Sequence, residues 1–393
     1  MTVTFPGKLP VAEGVGGIAR LAALLTGPLR RTPRVVQVVG PGFTGRPWAP
    51  RVKDALRAFD PVVVVHEGPT TPDSVAGLAR HLRALGADVV IAVGGGTVMD
   101  AAKAAAALAD GDPPDADRVR QACAAGPVPA APAAKVVAVP TTAGTGAEAT
   151  PFATLWDLEH RRKLSLTGPG VRPAAAVLAP ELLAGLSRRD LATGILDALC
   201  QGAEASWSVR STPESIRWGT SAVTLAAGVL DRVQGDTLDA AARLELQRAA
   251  HHSGRAIALA QTSSCHAISY PLTLRLGLAH GHACGVTLGR LLRHNHAVPA
   301  GDCADPRGTG HVRRVIDFLA EPLGGTPARA ALRVERFLTG CGLTPYDELD
   351  VDHHAVAAEA VTYPRCHDNP RRLDPVSLGR LLGERSELEE TCG

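Results

Sequence analysis

The sequence predicts an α/β dinucleotide-binding domain with a parallel sheet, followed by an all-helical domain. Three observations predict it. Four short β-branched runs fall in the first half: Arg34–Val39, Pro61–Val65, Asp88–Val93 and Lys135–Val139. Near-continuous apolar runs of this length suit strands buried on both faces. Helical periodicity interrupts them, and strands alternating with helices make a doubly wound sheet. From about Pro180 the strand pattern fades and helical patterns take over. The expected domains are residues 1–180 and 181–393, in keeping with roughly 150 residues per domain.

The elements follow in order. Between the second and third strands, Thr71–Leu85 reads TPDSVAGLARHLRAL, a helix with Asp73 or Ser74 as its N-cap. Asp110–Ala134 is rich in Pro and Ala and is expected to be a surface excursion. The helical half is expected to comprise Arg188–Val209, Pro213–Gln234, Thr237–Thr262, His282–His296 and Ala328–Cys341.

Composition excludes several classes. Lys+Arg 41 against Asp+Glu 39 leaves a net charge of +2, without the basic excess of a nucleic-acid binder. Hydrophobic content of 45% excludes overall disorder, and 3% aromatics mean a core of Ala, Val and Leu. There is no run of 18 uncharged apolar residues, so no membrane span is expected. The segment MTVTFPGKLP lacks a charged region followed by an apolar one, so secretion by a signal peptide is not expected. The eight cysteines are scattered without a CxxC pair, which suits reduced thiols and a cytoplasmic location.

Three motifs carry chemistry. Gly94-Gly95-Gly96-Thr97 follows a strand and opens an Ala-rich helix that includes Asp100. Glycines let a backbone approach a pyrophosphate, and a helix N-terminus offers free N–H groups at a positive dipole end. This is not the GxGxxG fingerprint. The second motif, PTTAGTGAE, places Thr141, Thr142 and Thr145 after another strand. It suits polar contacts to a cofactor, or equally a solvated turn. The third is dispersed. Asp197 and Gln201 are four apart on one helix face, His266 lies on another helical stretch, and His280 precedes the next helix. Two imidazoles, a carboxylate and an amide oxygen suit one divalent cation such as Fe2+, Zn2+ or Mn2+.

On these motifs the chain resembles the iron-containing (group III) alcohol dehydrogenases, which have the dehydroquinate synthase-like architecture. GGGTVMDAAK and PTTAGTGAEATPFATLWD resemble the family's two cofactor segments. TGILDALCQGAEA and HAISYPLTLRLGLAHGHA resemble its two metal-ligand segments. The resemblance implies NAD(P)H, a divalent metal, an aldehyde or alcohol substrate, and a cleft between the domains. It places Asp197, His266 and His280 on ligand positions, with Gln201 where the family has a fourth ligand, a His. Tyr270 stands where many members carry a further His, and His282 is a neighbouring candidate proton donor. A family carboxylate after the first strand is replaced by Gly40, with Arg46 nearby, so NADPH is favoured. Lys163 is a further candidate for the cofactor.

Trp207–Ser215 and His266–Thr273 most resemble the branch of this family that reduces phosphonoacetaldehyde. An anionic aldehyde needs cationic partners, for which Arg275, Lys163 and Arg162 are candidates, each more readily read as a surface charge or helix-end contact. A homo-oligomer, specifically a dimer, is expected, with no nucleic-acid or membrane partner. The alternatives are reduction of a neutral small aldehyde, a cyclase related to dehydroquinate synthase, and a metal-free, non-catalytic relative.

Overall fold

The computed structural model describes residues 9–25, 32–111, 114–130, 132 and 134–384. The chain divides into two compact units, Met1–Leu186 and Ser187–Gly393.

In the first unit the strands are β1 Val11–Glu13, β2 Val35–Val39, β3 Val62–Val65, β4 Val89–Gly94, β5 Lys135–Pro140, β6 Phe152–Asp157, β7 Arg162–Thr167 and β8 Ala175–Leu178. The helices are α1 Leu21–Leu25, α2 Ala49–Leu56, α3 Pro72–Ala84, α4 Gly96–Ala107 and α5 Ala116–Ala124. Six strands form a parallel sheet in the order β1-β8-β5-β4-β2-β3, and β6 and β7 form a separate antiparallel hairpin. The four predicted strands are β2 to β5. Successive side chains point to opposite faces. Val35, Val39, Ile91 and Val139 therefore pack with Leu21, Val52 and Leu56 on one side. Val36, Val38, Val90 and Ala138 pack with Leu82, Met99 and Ala102 on the other.

Three expectations need correcting. The valines of β3 were expected to be buried, but Val62, Val63 and Val65 are 44%, 50% and 50% exposed. β3 is an edge strand, with a neighbour on one side only. The cap of α3 is Thr71, not Asp73 or Ser74. Pro72 at the first helical position favours an extended Thr71, whose hydroxyl accepts from Ser74 N at 3.2 Å, while Ser74 Oγ accepts from Thr71 N at 2.9 Å. The Pro/Ala excursion contains α5, capped by Asp115.

Lys103 on α4 is wholly buried. Its ammonium donates to Asp100 Oδ1 at 3.1 Å, Thr150 Oγ1 at 3.0 Å, the Ala147 carbonyl at 2.9 Å and the Phe152 carbonyl at 2.5 Å. Asp100 Oδ2 accepts from Thr154 N at 3.0 Å. The pair thus ties α4 to the chain between β5 and β6.

The second unit is helical: α6 Arg188–Trp207, α7 Pro213–Gln234, α8 Ala240–Ala260, α9 Ser264–Leu276, α10 His280–His296, α11 Thr309–Ala320, α12 Pro327–Gly340, α13 His353–Ala360 and α14 Pro375–Gly383. Among its described residues the β pairing is one isolated bridge, Cys303 to Arg371. α6 packs against α7, α8, α9 and α10, and is buried along most of its length. α10 begins at His280 and not His282, so His280 occupies its first turn. Among the described residues no helix is long and apolar enough to cross a membrane.

Removing a partner from a buried ion pair costs about 3–5 kcal/mol. Lys103→Met should therefore lower stability by that order in urea unfolding, whereas exposed Lys53→Met should leave the midpoint nearly unchanged.

Candidate cofactor loops and metal centre

In the first unit, β2 leads to β3 on one side of the sheet and β4 leads to β5 on the other. The strand order therefore reverses between β2 and β4, and ligands of open α/β sheets bind beyond the strand ends at such a point. Gly40 follows β2, and Gly94–Gly96 joins β4 to α4. Gly95 is the N-cap of α4, so the glycine loop presents that helix's unpaired N–H groups. The second loop, after β5, lies against it. Thr141 N donates to the Gly94 carbonyl at 3.0 Å. A side chain at Gly95 would meet Thr142 Oγ1 at 3.2 Å, and one at Gly96 would meet Thr145 Cγ2 at 3.0 Å.

Other candidates lie nearby in the chain and have the following contacts. Asp100 spends both oxygens on Lys103 and Thr154, which makes it a tie between segments. The Thr97 carbonyl accepts from Thr70 Oγ1 at 2.9 Å. Lys163 lies on β7 opposite Trp156, and Arg162 lies opposite Asp157, to whose carboxylate it donates at 3.0 Å. Burial works against the Asp157 carboxylate. His160, Arg162 and Arg120 outweigh it and hold its pKa down at about 2.

In the second unit, Asp197 on α6, His266 on α9 and His280 on α10 converge. Asp197 Oδ1 is 3.4 Å from His266 Nε2 and 3.9 Å from His280 Nε2, and the two imidazole centroids are 5.2 Å apart. Gly281 makes the convergence possible. A Cβ there would lie 1.9 Å from the Thr193 carbonyl oxygen, so only glycine lets α10 approach α6 this closely.

Two groups that sequence reasoning missed complete the cluster. Cys284, one turn after His280 on α10, has its Sγ 3.9 Å from His280 Nε2 and 4.0 Å from Nδ1. Donor atoms of Asp197, His266, His280 and Cys284 all lie within 4.8 Å of one another. Glu204, fully buried on α6, bonds His266 Nδ1 through Oε2 and accepts from His266 N and Ser263 Oγ at 3.2 Å each through Oε1. Both follow a helical spacing from an identified residue: Glu204 is two turns from Asp197, and Cys284 one turn from His280.

The charges are strongly coupled. Burial works against the His266 imidazolium, but Cys284 and Glu204 outweigh it and hold its pKa well above the ordinary value. Burial likewise opposes the Cys284 thiolate, yet His266 and His280 bring its pKa down to about 7. A carboxylate, two imidazoles and a thiol, one imidazole fixed from behind by a buried carboxylate, form a donor set that fits a divalent cation.

Four further predicted site residues have partners of their own. The Gln201 amide does not turn its oxygen to the cluster. Its Nε2 donates to Asp197 Oδ1 at 2.9 Å and its Oε1 accepts from Ser253 Oγ at 2.8 Å. His282, 200° round α10 from His280, points its Nε2 to the Thr344 carbonyl at 2.8 Å. Burial lowers its pKa. Tyr270 stacks edge-on with Tyr363 at 4.8 Å. Arg275 lies half a turn round α9 from His266 and about 14 Å along it, with Nη2 donating to Glu359 Oε2 at 2.8 Å.

Comparison with known proteins agrees with this architecture. The family model "Iron-containing alcohol dehydrogenase" matches residues 11–180, and "Fe-containing alcohol dehydrogenase family, C-terminal" matches residues 191–370. The chain is 84% identical over 395 aligned residues, 100% of both chains, to a phosphonoacetaldehyde reductase of Streptomyces viridochromogenes. Among solved structures, it is similar to a sulfoacetaldehyde reductase of Bifidobacterium kashiwanohense in complex with NAD+. The TM-score is 0.80 at 24% identity, covering 97% of this chain and 98% of that one. An iron-containing alcohol dehydrogenase of Thermococcus thioreducens gives a TM-score of 0.79 at 20% identity, with 97% and 98% covered. These two likenesses speak to the fold. The two family matches and the full-length relative together establish that the chain belongs to the iron-containing alcohol dehydrogenase family.

Proposed function

We propose that the protein is an NAD(P)H-dependent, divalent-metal-dependent reductase that converts phosphonoacetaldehyde to 2-hydroxyethylphosphonate. The observation that carries this is the 84% identity to a phosphonoacetaldehyde reductase over the full length of both chains. The Asp197, His266 and His280 cluster supports the metal dependence.

When bound, a divalent cation supplies Lewis acidity toward a carbonyl oxygen and a reduced nicotinamide supplies hydride. Asp197, His266 and His280 would hold the cation. Glu204 accepts the His266 Nδ1 proton in its hydrogen bond, so that Nε2, the nitrogen on the Asp197 side, is the one that would give up its proton to a cation. Gln201, braced by Ser253, orients the Asp197 carboxylate. The N–H groups of the Gly94–Gly96 loop would receive the pyrophosphate, with Thr141, Thr142 and Thr145 beside them. Lys163 would contact the cofactor or the substrate. His282 Nε2 is engaged with the Thr344 carbonyl and is not free to pass a proton to the substrate.

NADPH is the favoured cofactor because no carboxylate follows β2 at Gly40 to repel a 2′-phosphate. A second reading, a neutral small aldehyde as substrate, draws on the ion pairs that Arg162 and Arg275 already make with Asp157 and Glu359.

Three measurements test these assignments. Gly40→Asp is sterically clean, since its Cβ would rest 3.6 Å from Val98 Cγ2. It should raise the NADH/NADPH ratio of kcat/KM at least tenfold, and a wild type that already rejects NADPH would contradict the cofactor assignment. Glu204→Gln should weaken metal affinity about 10–100-fold, the usual effect of losing a partner behind a ligating His. Chelator competition measures it. Wild-type enzyme should prefer phosphonoacetaldehyde to propanal. A charge-assisted hydrogen bond is worth about 1.5–3 kcal/mol. Alanine at whichever of Lys163, Arg162 and Arg275 meets the phosphonate should therefore lower kcat/KM roughly 10–150-fold for that substrate and spare propanal. A preference for propanal would favour the neutral reading.

A further inference from the structure

We propose that Cys284 is a ligand of the cation, so that this chain holds its metal through one carboxylate, two imidazoles and one thiolate. Gln201, at the family's fourth-ligand position, is instead a positioning residue. The inference rests on the proposal that the second unit binds a divalent cation.

Position 201 is occupied in a way that removes it from the donor set. Its amide oxygen accepts from Ser253 Oγ at 2.8 Å and its amide nitrogen donates to Asp197 Oδ1 at 2.9 Å. Swapping the amide's two ends would set its nitrogen against the Ser253 hydroxyl and its oxygen against the Asp197 carboxylate, two acceptors facing each other. The Asp197 carboxylate therefore favours the nitrogen end of the amide facing it. Gln201 is 4% exposed and lies on the same face of α6 as Asp197, so its effect on the cation passes through that carboxylate.

Cys284 is placed to supply the missing donor. Its side chain is wholly buried, and it lies four residues after His280 on α10, so both project from one face. The four donor atoms sit within 4.8 Å of one another. Zn–S and Zn–N bonds of about 2.3 and 2.0–2.1 Å put tetrahedral neighbours roughly 3.3–3.6 Å apart. The observed separations of 3.4 Å between Asp197 and His266, and 3.9 Å between Cys284 and His280, approach that spacing.

A thiolate changes the ion that the site selects. It is a soft donor, and a tetrahedral set of sulfur, nitrogen and oxygen suits Zn2+ over Fe2+. The formal charge of ion plus ligands also falls from +1, for one carboxylate and three imidazoles, to zero. The consequence is a zinc-preferring member of a family named for iron.

The test uses full-length protein stripped of metal by a chelator and reloaded with one metal at a time. Zinc X-ray absorption of the wild type should show one sulfur at about 2.3 Å beside nitrogen and oxygen at about 2.0–2.1 Å. A shell of nitrogen and oxygen alone would overturn the proposal while leaving the cation reading intact. With Co2+, the wild type should show visible d–d bands together with a near-ultraviolet thiolate-to-cobalt charge-transfer band. Cys284→Ser should abolish the charge-transfer band, keep a d–d spectrum and raise the zinc Kd at least tenfold. A charge-transfer band that persists in Cys284→Ser would assign the sulfur to another cysteine and overturn the proposal. Gln201→Met, which cannot bond Asp197, should weaken zinc yet preserve the charge-transfer band. Failure of the wild type to bind either metal would refute the cation reading and this inference together.

Discussion

Two carboxylates buried on one helix set the terms for the helical unit. Asp197 and Glu204 both lie in the buried stretch of α6. An ionised carboxylate removed from water without partners costs many kcal/mol. The surrounding elements meet that demand. α9 brings the His266 ring and backbone N–H to Glu204, and Ser263, just before it, adds a hydroxyl. Gln201 and His280 are set against Asp197. Because His266 touches both carboxylates through different ring nitrogens, its orientation is fixed from two sides. Mutual satisfaction of buried charge is thus also what assembles the donor cluster.

The α/β unit solves a similar problem with the opposite sign. A single ammonium, Lys103, is buried on α4 and takes its partners from Asp100 and from the chain that leaves β5. That chain includes the Thr/Gly loop packed on the glycine loop. The positions of the two loops are therefore coupled to a buried charge two turns down the helix from the glycines. Asp100, adjacent to the loop in sequence, serves this tie and so acts on the loop by position.

Much of this was legible in the sequence because it depends on local pattern. β-branched runs marked β2 to β5, and glycines at a strand-to-helix junction marked the loop on α4. β1, with three residues, and β8, alanine-rich, carry too little pattern to be seen. The β6–β7 hairpin lay inside a segment read for its cofactor motif. β3 has the composition of a central strand but lies at the sheet edge, since order within a sheet is set by how helices cross it and not by the strand's own residues.

The sequence by itself determined the two-part architecture, the glycine loop, the family, and three residues that converge on one point: Asp197, His266 and His280. The architecture and the loop follow from periodicity and local motifs, and the family and the three converging residues follow from the resemblance that those motifs carry. Only the tertiary structure decided which atoms face that point. It turned Gln201 to Ser253, sent His282 to the Thr344 carbonyl, engaged Arg275 with Glu359, and brought in Cys284 and Glu204. The physical reason is that a buried polar side chain points to whichever partner best satisfies it, and those partners lie on helices far apart in the chain.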